Sequence, residues 1–472
     1  MNKMSRLRIA EREHLDKIHE ATLAVLEKTG IIFEHPEAVA VFKDHGAEVD
    51  GKLVRIPASL VEKAIESAPA SFTLTARNEE KSVLIGEGQT RPHVEPNHGP
   101  VFIQSQDEGR RLGTIDDLAN IYRLCHASEV CDIVGSIPVD PSGLNLKERR
   151  PRIFYELLNS TDKAIRFVVG TAEEVAKDFE MLECARGRKG WLDDVHAIYF
   201  SMNPLSPLCY DRTPLETIMA YARRNQPVAV LTCALNGVSS PLGLTGSAVM
   251  QNAEILAGLV LTQIITPGLP FLYGPASARP NLRTGAYITG SPESNMMNIV
   301  NFQLALEKYH LPIRAMSGMT DSKSIDMQAG YETMQNIMMC LLGGAHVINE
   351  TMGVLDCIMT TSYEKFIIDQ ELIARVFRMM EPLNDLDADL SVAEIDKVGP
   401  RGSYLMRPTT LKNCRKVYTP TVSYQESYDT WKSSGCPDII IRAAEKYRSI
   451  LDAAPKSMLT DDLAKQLQTF IK

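Results

Sequence analysis

Short apolar runs alternate with longer amphipathic stretches from about residue 110 to residue 380. The runs are apolar at nearly every position, which is typical of strands buried on both faces of a parallel sheet. The stretches between them carry apolar residues at helical spacing and predict crossover helices. The runs predicted as strands are Asp132–Pro138, Ala164–Val169, Val195–Phe200, Pro227–Thr232, Pro270–Tyr273, Leu311–Met316 and Ala345–Asn349.

The alternation predicts an α/β fold, a (β/α)8 TIM barrel, with an eighth strand at Val101–Gln104. A doubly wound open sheet is the alternative. Neither GxGxxG after a strand nor GxxxxGK[ST] occurs, so nucleotide binding at such a sheet lacks its usual motif. The predicted helices are Ala172–Arg186, Pro214–Asn225, Ser247–Thr266, Ser294–Tyr309, Ala329–Leu342 and Tyr363–Met380.

The two ends of the chain have different patterns. Helical spacing over residues 14–29 and 36–45, a helix beginning at Pro57, and short apolar runs at 72–76 and 83–85 predict an α+β N-terminal cap. Two amphipathic helices, Asp438–Ala453 and Asp461–Ile471, are predicted at the C-terminal end. The predicted domains are a cap over residues 1–109, a TIM-barrel catalytic domain over 110–407 and a C-terminal helical extension over 408–472.

The composition is that of an ordinary globular protein, with 44% hydrophobic and 23% charged residues among 472. The formal charge is −9 and no block of five basic residues occurs, so neither nucleic acid nor a membrane surface is an expected partner. Met1–Glu20 has no apolar signal segment, and prolines interrupt the longest weakly charged stretch, Ile255–Ala278. Nine scattered cysteines suit a reducing compartment, so we expect a cytoplasmic protein without disulfides.

Ligands of such a barrel contact the loops that follow the carboxyl ends of the strands. Here those loops are rich in glycine and methionine and poor in charge, which predicts a wide, partly apolar mouth that can admit a large flat group. The densest polar run is Thr320–Glu332, between the sixth strand and its helix. Asp326 or Ser324 is expected to cap that helix, with Asp321 and Lys323 as a surface pair; a functional role for another member stays open.

Motifs for metal or nucleophilic chemistry are absent from the sequence. HxH, CxxC, HExxH and the GxSxG turn do not occur, so no metal site is predicted. Cys233 and Cys340 stand alone and are expected to be inert core thiols.

A second polar cluster, containing His93, Glu95, Asn97 and His98, precedes the first of the seven predicted strands. It is either a polar loop at the domain junction or a loop that reaches over the barrel mouth. Both interpretations stay open from the sequence.

Three side chains near predicted strand ends suit a cationic ligand. Tyr273 and Tyr331 are either core rings or aromatic faces that hold a quaternary ammonium ion. Glu350 is either a cap or loop ion pair, or a counter-charge for such a cation.

Several stretches resemble the trimethylamine methyltransferase family: Ile18–Gly30, Thr320–Glu332, Gly343–His346 with its following strand, and Val398–Gly402. The resemblance extends over essentially the whole chain, and the order and spacing of the stretches are more specific than any one of them. It implies a TIM barrel that transfers a methyl group from an amine to the cobalt of a separate, cognate corrinoid protein.

The archaeal trimethylamine enzymes carry pyrrolysine in the barrel, whereas this chain has only standard residues, also near Gly318–Thr320, where we expect that position. The chain therefore resembles the pyrrolysine-free branch, whose substrates are quaternary amines such as glycine betaine, proline betaine, carnitine and γ-butyrobetaine. A quaternary ammonium already has a neutral amine as its leaving group. SN2 attack by Co(I) then needs in-line positioning and desolvation, without zinc or a covalent enzyme intermediate.

For such a substrate we hypothesise roles for particular residues. Tyr273 and Tyr331 would contribute to an aromatic or electronegative cage for the ammonium, with Glu332 or Glu350 adding attraction. Arg279, Arg283 and Arg314 are the candidates for a betaine carboxylate. No cofactor is expected to bind tightly to this chain itself, and apolar outer helices suggest a homo-oligomer. The residues expected to face the corrinoid are Gly318, Met319, Asp321, Asp326 and Gln328.

Three other functions remain compatible with the sequence: a tertiary-amine methyltransferase, a different barrel lyase, and a non-catalytic protein that binds betaine or docks a corrinoid protein. Methylation of Co(I)-cobalamin with a panel of amines distinguishes them.

Overall fold

The computed structural model of the protein describes residues 6–471. Helices and short strands alternate along the chain up to α3, and an antiparallel pair of strands follows. Helix α1 continues into a π-helical turn that ends at Gly30, whose φ of 77° is the conformation in which glycine commonly ends a helix. The first elements are α1 (Arg12–Ala24), β1 (Ile31–Phe33), α2 (Pro36–Asp44), β2 (Glu48–Asp50), β3 (Leu53–Arg55), α3 (Ala58–Ser67), β4 (Ser71–Leu74) and β5 (Val83–Gly86).

Parallel strands and helices then alternate through the middle of the chain. The elements up to residue 223 are β6 (His93–Val94), β7 (Phe102–Ser105), β8 (Gly109–Leu112), α4 (Ile115–Ala127), β9 (Ile133–Gly135), α5 (Leu146–Ser160), β10 (Ala164–Phe167), α6 (Ala172–Arg186), α7 (Trp191–Asp194), β11 (Ile198–Met202), β12 (Cys209–Tyr210) and α8 (Arg212–Arg223). They are followed by β13 (Val228–Thr232), α9 (Leu244–Ile265), β14 (Phe271–Pro275), α10 (Pro292–Gln303), β15 (Arg314–Met316), α11 (Met327–Gly343), β16 (Val347–Asn349), β17 (Val354–Leu355), β18 (Thr360–Ser362) and α12 (Tyr363–Met380).

Two parallel sheets organise these elements. One has the order β14-β13-β11-β10-β9 and the other β15-β16-β6. A bridge between Tyr273 and Ile313 connects β14 to the residue before β15, and a bridge between Val94 and Cys131 connects β6 to the segment before β9. The pairings therefore pass through eight parallel strands and return to the first, with a helix after each strand.

All seven strands predicted from apolar runs are present, but the eighth was placed wrongly. Val101–Gln104 overlaps β7, which pairs with β8 and β18 in a separate sheet. The remaining parallel strand is β6, which has only two residues and so leaves no apolar run in the sequence. It also lies before residue 110, where the catalytic domain was predicted to begin.

The first residues of the parallel strands are covered by the β4–β5 pair. Phe72, Leu74 and Ile85 pack in one cluster with Ile133 and Leu272, which are among the first residues of their strands. This apolar cluster covers the amino ends of these strands, opposite the carboxyl ends at which the cavity described below is found.

Helix α9 is the one helix in the described chain that is long and apolar enough to cross a membrane, and most of it is buried within the structure. It contacts α1, α3 and β13 and is thus surrounded by protein. Its apolar composition follows from burial on every side.

The chain ends in small helices followed by two longer ones. Helix α17 packs along α12, and Tyr447 stacks on Tyr363 with ring centroids 4.9 Å apart. Both predicted terminal helices are present, although the second ends at Gln468. These elements are α13 (Asp385–Ala388), α14 (Val392–Val398), α15 (Pro408–Asn413), α16 (Tyr428–Ser433), α17 (Ile439–Ala453) and α18 (Asp461–Gln468).

Candidate active site

A cavity of about 480 Å³ lies at the carboxyl ends of the parallel strands. Its floor is polar and its upper wall contains sulfur and apolar atoms. The residues discussed below that line it are His98, Arg166, Met202, Cys233, Tyr287, Arg314, Met316, Glu350, Cys357 and Ile358.

Two buried arginines share one carboxylate at the floor of the cavity. Arg314 on β15 donates from Nε and Nη2 to Oε2 of Glu95, over 3.0 and 2.8 Å. Nε of Arg166 on β10 lies 3.3 Å from the same oxygen. All three side chains are buried, so two guanidinium charges face one carboxylate and the floor keeps an excess of positive charge.

The second nitrogen of Arg166 is available for a further acceptor. Nη2 of Arg166 has no hydrogen-bond partner within residues 6–471, although the atom is buried. Burial and the nearby charge of Arg314 lower the pKa of Arg166 to about 10, which leaves it protonated at neutral pH. A buried cationic donor without an acceptor is costly, and a ligand carboxylate would remove that cost.

Glu350 lies where β16 ends, with a backbone φ of 54° that non-glycine residues seldom adopt. Its Oε2 accepts from the backbone N–H of His98 over 2.9 Å, and its Oε1 accepts from Nδ2 of Asn349 over 3.1 Å. Burial raises the pKa of Glu350 to about 7, against the opposing effects of the His98 N–H and the two arginines. Glu350 therefore changes charge near neutral pH.

His98 is neutral beside Glu350. Its side chain lines the cavity and is otherwise surrounded by protein. This burial, together with the charges of Arg166 and Arg314, lowers the pKa of His98 to about 3. Its Nδ1 accepts from the backbone N–H of Ile137 over 3.3 Å and hydrogen-bonds with Ser136 Oγ. The predicted cluster thus includes a strand, β6, and contributes Glu95 and His98 to the floor of the cavity, whereas the functional interpretation of that cluster had placed it over the barrel mouth.

The upper wall is neutral and polarisable. Burial raises the pKa values of Cys233 and Cys357 to about 12, so both remain thiols at neutral pH. Met202 and Met316 add thioethers, and the Tyr287 hydroxyl donates to the backbone carbonyl of Ala276 over 2.8 Å. None of these wall side chains is poised as a nucleophile.

A left-handed turn brings part of this wall over the cavity. Asp356, Cys357 and Ile358 have φ values of 53°, 52° and 74°. The turn is held by hydrogen bonds from the Asp356 N–H to the Ser322 carbonyl (2.7 Å) and from the Cys357 N–H to the Thr320 carbonyl (3.0 Å). Three successive non-glycine residues keep this left-handed backbone conformation only because the surrounding structure holds them in it.

Tyr273 does not line the cavity. It is buried on the opposite face of β14, and its hydroxyl lies 2.9 Å from Asn252 Oδ1 and 3.0 Å from Asn301 Oδ1, on α9 and α10. Successive strand residues face opposite sides, and an apolar run does not show which residues face inward. The predicted ammonium cage therefore cannot include this ring.

Tyr331 and the two surface arginines also lie elsewhere. Tyr331 is on α11, 59% exposed. Arg279 forms an exposed ion pair with Glu293. Arg279, Glu293 and Arg283 line a surface depression that is separate from the cavity. Of the predicted substrate-binding residues, the structure brings Arg314 and Glu350 to the cavity.

The Thr320–Glu332 run holds its own loop together. Glu332 Oε2 accepts from Thr320 Oγ1 (2.6 Å) and from the Asp321 N–H (2.8 Å), and Gln328 donates to the other oxygen over 3.0 Å. Asp326 accepts from the Ala329 N–H over 2.9 Å and caps α11, as predicted. The expected surface pair is absent, because Lys323 Nζ donates instead to the backbone carbonyl of Asp321. Glu332 is thereby committed to the loop rather than to a ligand.

Other residues expected to face the corrinoid are closely packed, buried, or hydrogen-bonded within the protein. A Cβ on Gly318 would lie 2.4 Å from Thr351 Cα, so this glycine permits close backbone packing rather than open space. Met319 is buried, and the Asp321 carboxylate accepts from Thr289 and Gly290.

Arg166 was not predicted, although it lies inside the apolar run Ala164–Val169. A charge in a strand buried on both faces was the available signal, because such a charge needs a partner or a function. In the described chain, no group of three or more His, Cys, Asp or Glu side chains could hold a metal ion.

A cavity at the carboxyl ends of parallel strands is the position at which α/β enzymes bind their ligands. The family model described as trimethylamine methyltransferase (MTTB) matches residues 1–472, and the chain belongs to that family. The resemblance inferred from sequence is thus confirmed, and the chain is a methyltransferase.

The chain is similar to curated enzymes over most of its length. It is 35% identical to the glycine betaine methyltransferase of Desulfitobacterium hafniense (strain Y51), covering 98% of this chain and 96% of the relative. It is 32% identical to the proline betaine:corrinoid methyltransferase of Eubacterium limosum, covering 83% and 82%. Among solved structures, the Methanosarcina barkeri monomethylamine methyltransferase (MtmB) shares the fold, with a TM-score of 0.56, 11% identity, and coverage of 100% and 90%.

Proposed function

We propose that this protein transfers a methyl group from a quaternary amine that carries a carboxylate, of the glycine betaine or proline betaine class, to the reduced corrinoid of a separate protein. The observation that carries the proposal is the buried pair Arg166 and Arg314 with only Glu95 between them. The similarity to glycine betaine and proline betaine methyltransferases supports the same substrate class.

The charge distribution gives the substrate an orientation. Its carboxylate would lie on the floor against Arg166 and Arg314, and its ammonium would point towards the mouth. Glu350, when ionised, attracts the ammonium; its oxygens accept from the His98 N–H and from Asn349, and within the described residues it makes no hydrogen bond to either arginine. The N-methyl groups then face the opening, where a partner protein can approach.

In this reaction the main task of the protein is to position the substrate. A corrinoid in its reduced state supplies the nucleophile, and the leaving group is a neutral tertiary amine. This chain binds the substrate, excludes water and aligns an N-methyl group with the opening. The thiols and His98, which are neutral, do not compete with the ammonium for its counter-charge.

The architecture we propose is a (β/α)8 barrel closed through β6, with residues before that strand as an N-terminal cap and helices after the barrel. The division at residues 109 and 407 remains a prediction. The corrinoid protein would approach the carboxyl-end face, near the loop of Gly318, Asp321 and Gln328. Nine free cysteines support a cytoplasmic location.

The test is methylation of Co(I)-cobalamin by the purified protein with a panel of amines. Glycine betaine and proline betaine should give methylcobalamin, whereas tetramethylammonium and trimethylamine, which lack the carboxylate, should not. Arg166→Met should raise KM for the betaine by about 10- to 100-fold, because a charge-assisted hydrogen bond is lost. Arg279→Met, at the exposed ion pair, should leave KM unchanged. Turnover of trimethylamine alone, or equal effects of the two substitutions, would refute the proposal.

A further inference from the structure

Residues 381–421, here called the arm, have no hydrophobic core of their own. Between Val376 and Val422, no residue is buried. Helices α13, α14 and α15 are four, seven and six residues long and contain no buried side chain. Helices this short do not persist without tertiary packing.

The arm is rich in exposed apolar side chains. Nine of the twenty-five large exposed apolar side chains of the described chain lie in the arm, between Leu383 and Val417. Leu390 is 82% exposed, Leu405 72% and Met406 75%. A concentration of this kind on a folded protein marks a surface that another molecule covers.

The arm's charges are divided into two blocks of opposite sign. Residues 381–396 contain six acidic side chains and no basic one, and residues 397–416 contain six basic side chains and no acidic one. Only part of this charge is paired internally, as in Arg407 with Glu394. Within residues 6–471, no ion pair forms at Asp385, Asp396, Lys412 or Arg415.

We infer that the arm packs against the arm of a second copy of this chain about a two-fold axis. A two-fold interface places residue i against j and also j against i, so a segment with an acidic and a basic block pairs favourably with itself. The acidic block of one copy faces the basic block of the other at both ends, and the apolar side chains between them are covered.

The position of the arm argues against a partner that uses the cavity. Ile358 lines the cavity, and α12, which begins soon after it, runs for 18 residues, about 27 Å, before the arm starts. Exposed apolar side chains also occur outside the arm, among them Leu146 and Leu205. A second copy of the chain is always present at the same concentration as the first, so it can cover an arm that has no core of its own.

The arm is attached firmly to its own subunit at one end. Glu371 on α12 accepts from the backbone N–H groups of Thr421 (2.7 Å), Val422 (2.6 Å) and Ser423 (3.1 Å). This anchor fixes where the arm returns and so presents the two charge blocks in a defined geometry.

Charge exchange tests the inference by sedimentation equilibrium. Asp385→Lys with Asp396→Lys leaves four acidic and two basic side chains in the acidic block, and Lys412→Glu with Arg415→Glu leaves four basic and two acidic side chains in the basic block, so each double variant weakens both contacts of a like pair. None of these four side chains makes a hydrogen bond within the described residues. The wild-type protein should have at least twice the 52.3 kDa mass of the chain, and each double variant half of the wild-type mass. An equimolar mixture of the two variants should recover the wild-type mass, because the unaltered basic block of the first variant then faces the unaltered acidic block of the second.

Two further variants separate the apolar contribution from general surface effects. Leu405→Gln with Met406→Gln should also halve the mass, whereas Leu146→Gln with Leu205→Gln, which are exposed outside the arm, should not. Circular dichroism checks that each variant is folded. A wild-type mass of 52.3 kDa, variants that keep the wild-type mass, or a mixture that fails to recover it would overturn the inference, whatever the outcome for the proposed function.

Discussion

Nη2 of Arg314 donates to Oε2 of Glu95 over 2.8 Å, although 219 residues separate them in the chain. Both side chains are about 1% exposed. The same oxygen lies 3.3 Å from Nε of Arg166, so one carboxylate is the counter-charge of two cations. The floor of the cavity depends on this shared contact.

Replacing Glu95 by Gln should therefore destabilise the protein strongly. Two buried guanidinium groups would lose their counter-charge, and removing one partner of a buried pair costs about 3–5 kcal/mol. Urea unfolding measures the loss. Glu293→Gln, which breaks the exposed pair with Arg279, should cost under about 1 kcal/mol and serves as the control. Similar losses for both variants would show that the floor does not rely on Glu95.

The charge of Glu350 should make stability depend on pH. Its pKa is raised from 4.5 to about 7 in the folded state, so the folded protein binds more protons than the unfolded chain between these values. The contribution of Glu350 is greatest below pH 4.5 and is lost as the pH rises through 7, by about 3 kcal/mol in all. Unfolding measured from pH 4.5 to 8 should show this fall relative to Glu350→Gln. A constant difference between the two proteins would contradict it.

The same titration should affect substrate binding. Ionised Glu350 attracts the ammonium of the substrate, so KM for the betaine should fall by about tenfold as the pH rises from 6 to 8. Glu350→Gln should remove this dependence while retaining turnover. If KM of the variant still followed pH in the same way, another group would be responsible.

Two glycines near α11 should respond in opposite directions to an added methyl group. Gly318→Ala would bring Cβ within 2.4 Å of Thr351 Cα and 2.5 Å of the Glu350 carbonyl, and should destabilise by about 1–3 kcal/mol or more. Gly330, within α11, has no atom within 4 Å of an added Cβ, so Gly330→Ala should stabilise by about 0.5–1 kcal/mol. Thermal unfolding compares the pair, and a tolerated Gly318→Ala would argue against tight packing at the end of β15.

Glu371→Gln should release the attached end of the arm. Burial would raise the pKa of Glu371, but hydrogen bonds from the Ser423 hydroxyl and three backbone N–H groups outweigh it and lower the pKa to about 2. The stabilisation is present above pH 4.5 and is lost as the pH falls towards 2. Limited proteolysis at pH 7 should cleave the variant faster than the wild type within residues 381–421. Glu381→Gln, which is exposed, should leave the rate unchanged.

The seven apolar strands were predictable because strands of a buried parallel sheet are apolar on both faces and leave continuous runs in the sequence. Strand β6 was not, because two residues leave no pattern and its pairing with β16 is decided by distant segments. The family was also visible in the sequence, since stretches such as Ile18–Gly30 keep their order and spacing along the whole chain.

The facing of individual side chains was decided by the tertiary structure. In the run Pro270–Tyr273, which is apolar throughout, nothing local shows that Tyr273 faces away from the cavity, and a shift of one residue exchanges the two faces. Glu95, Arg166 and Arg314 lie in three separate strand segments, and only the pairing of those strands brings their charges to one point. The sequence by itself determined the order of elements and the family, because these depend on local patterns; the composition of the cavity depends on long-range contacts, which only folding creates.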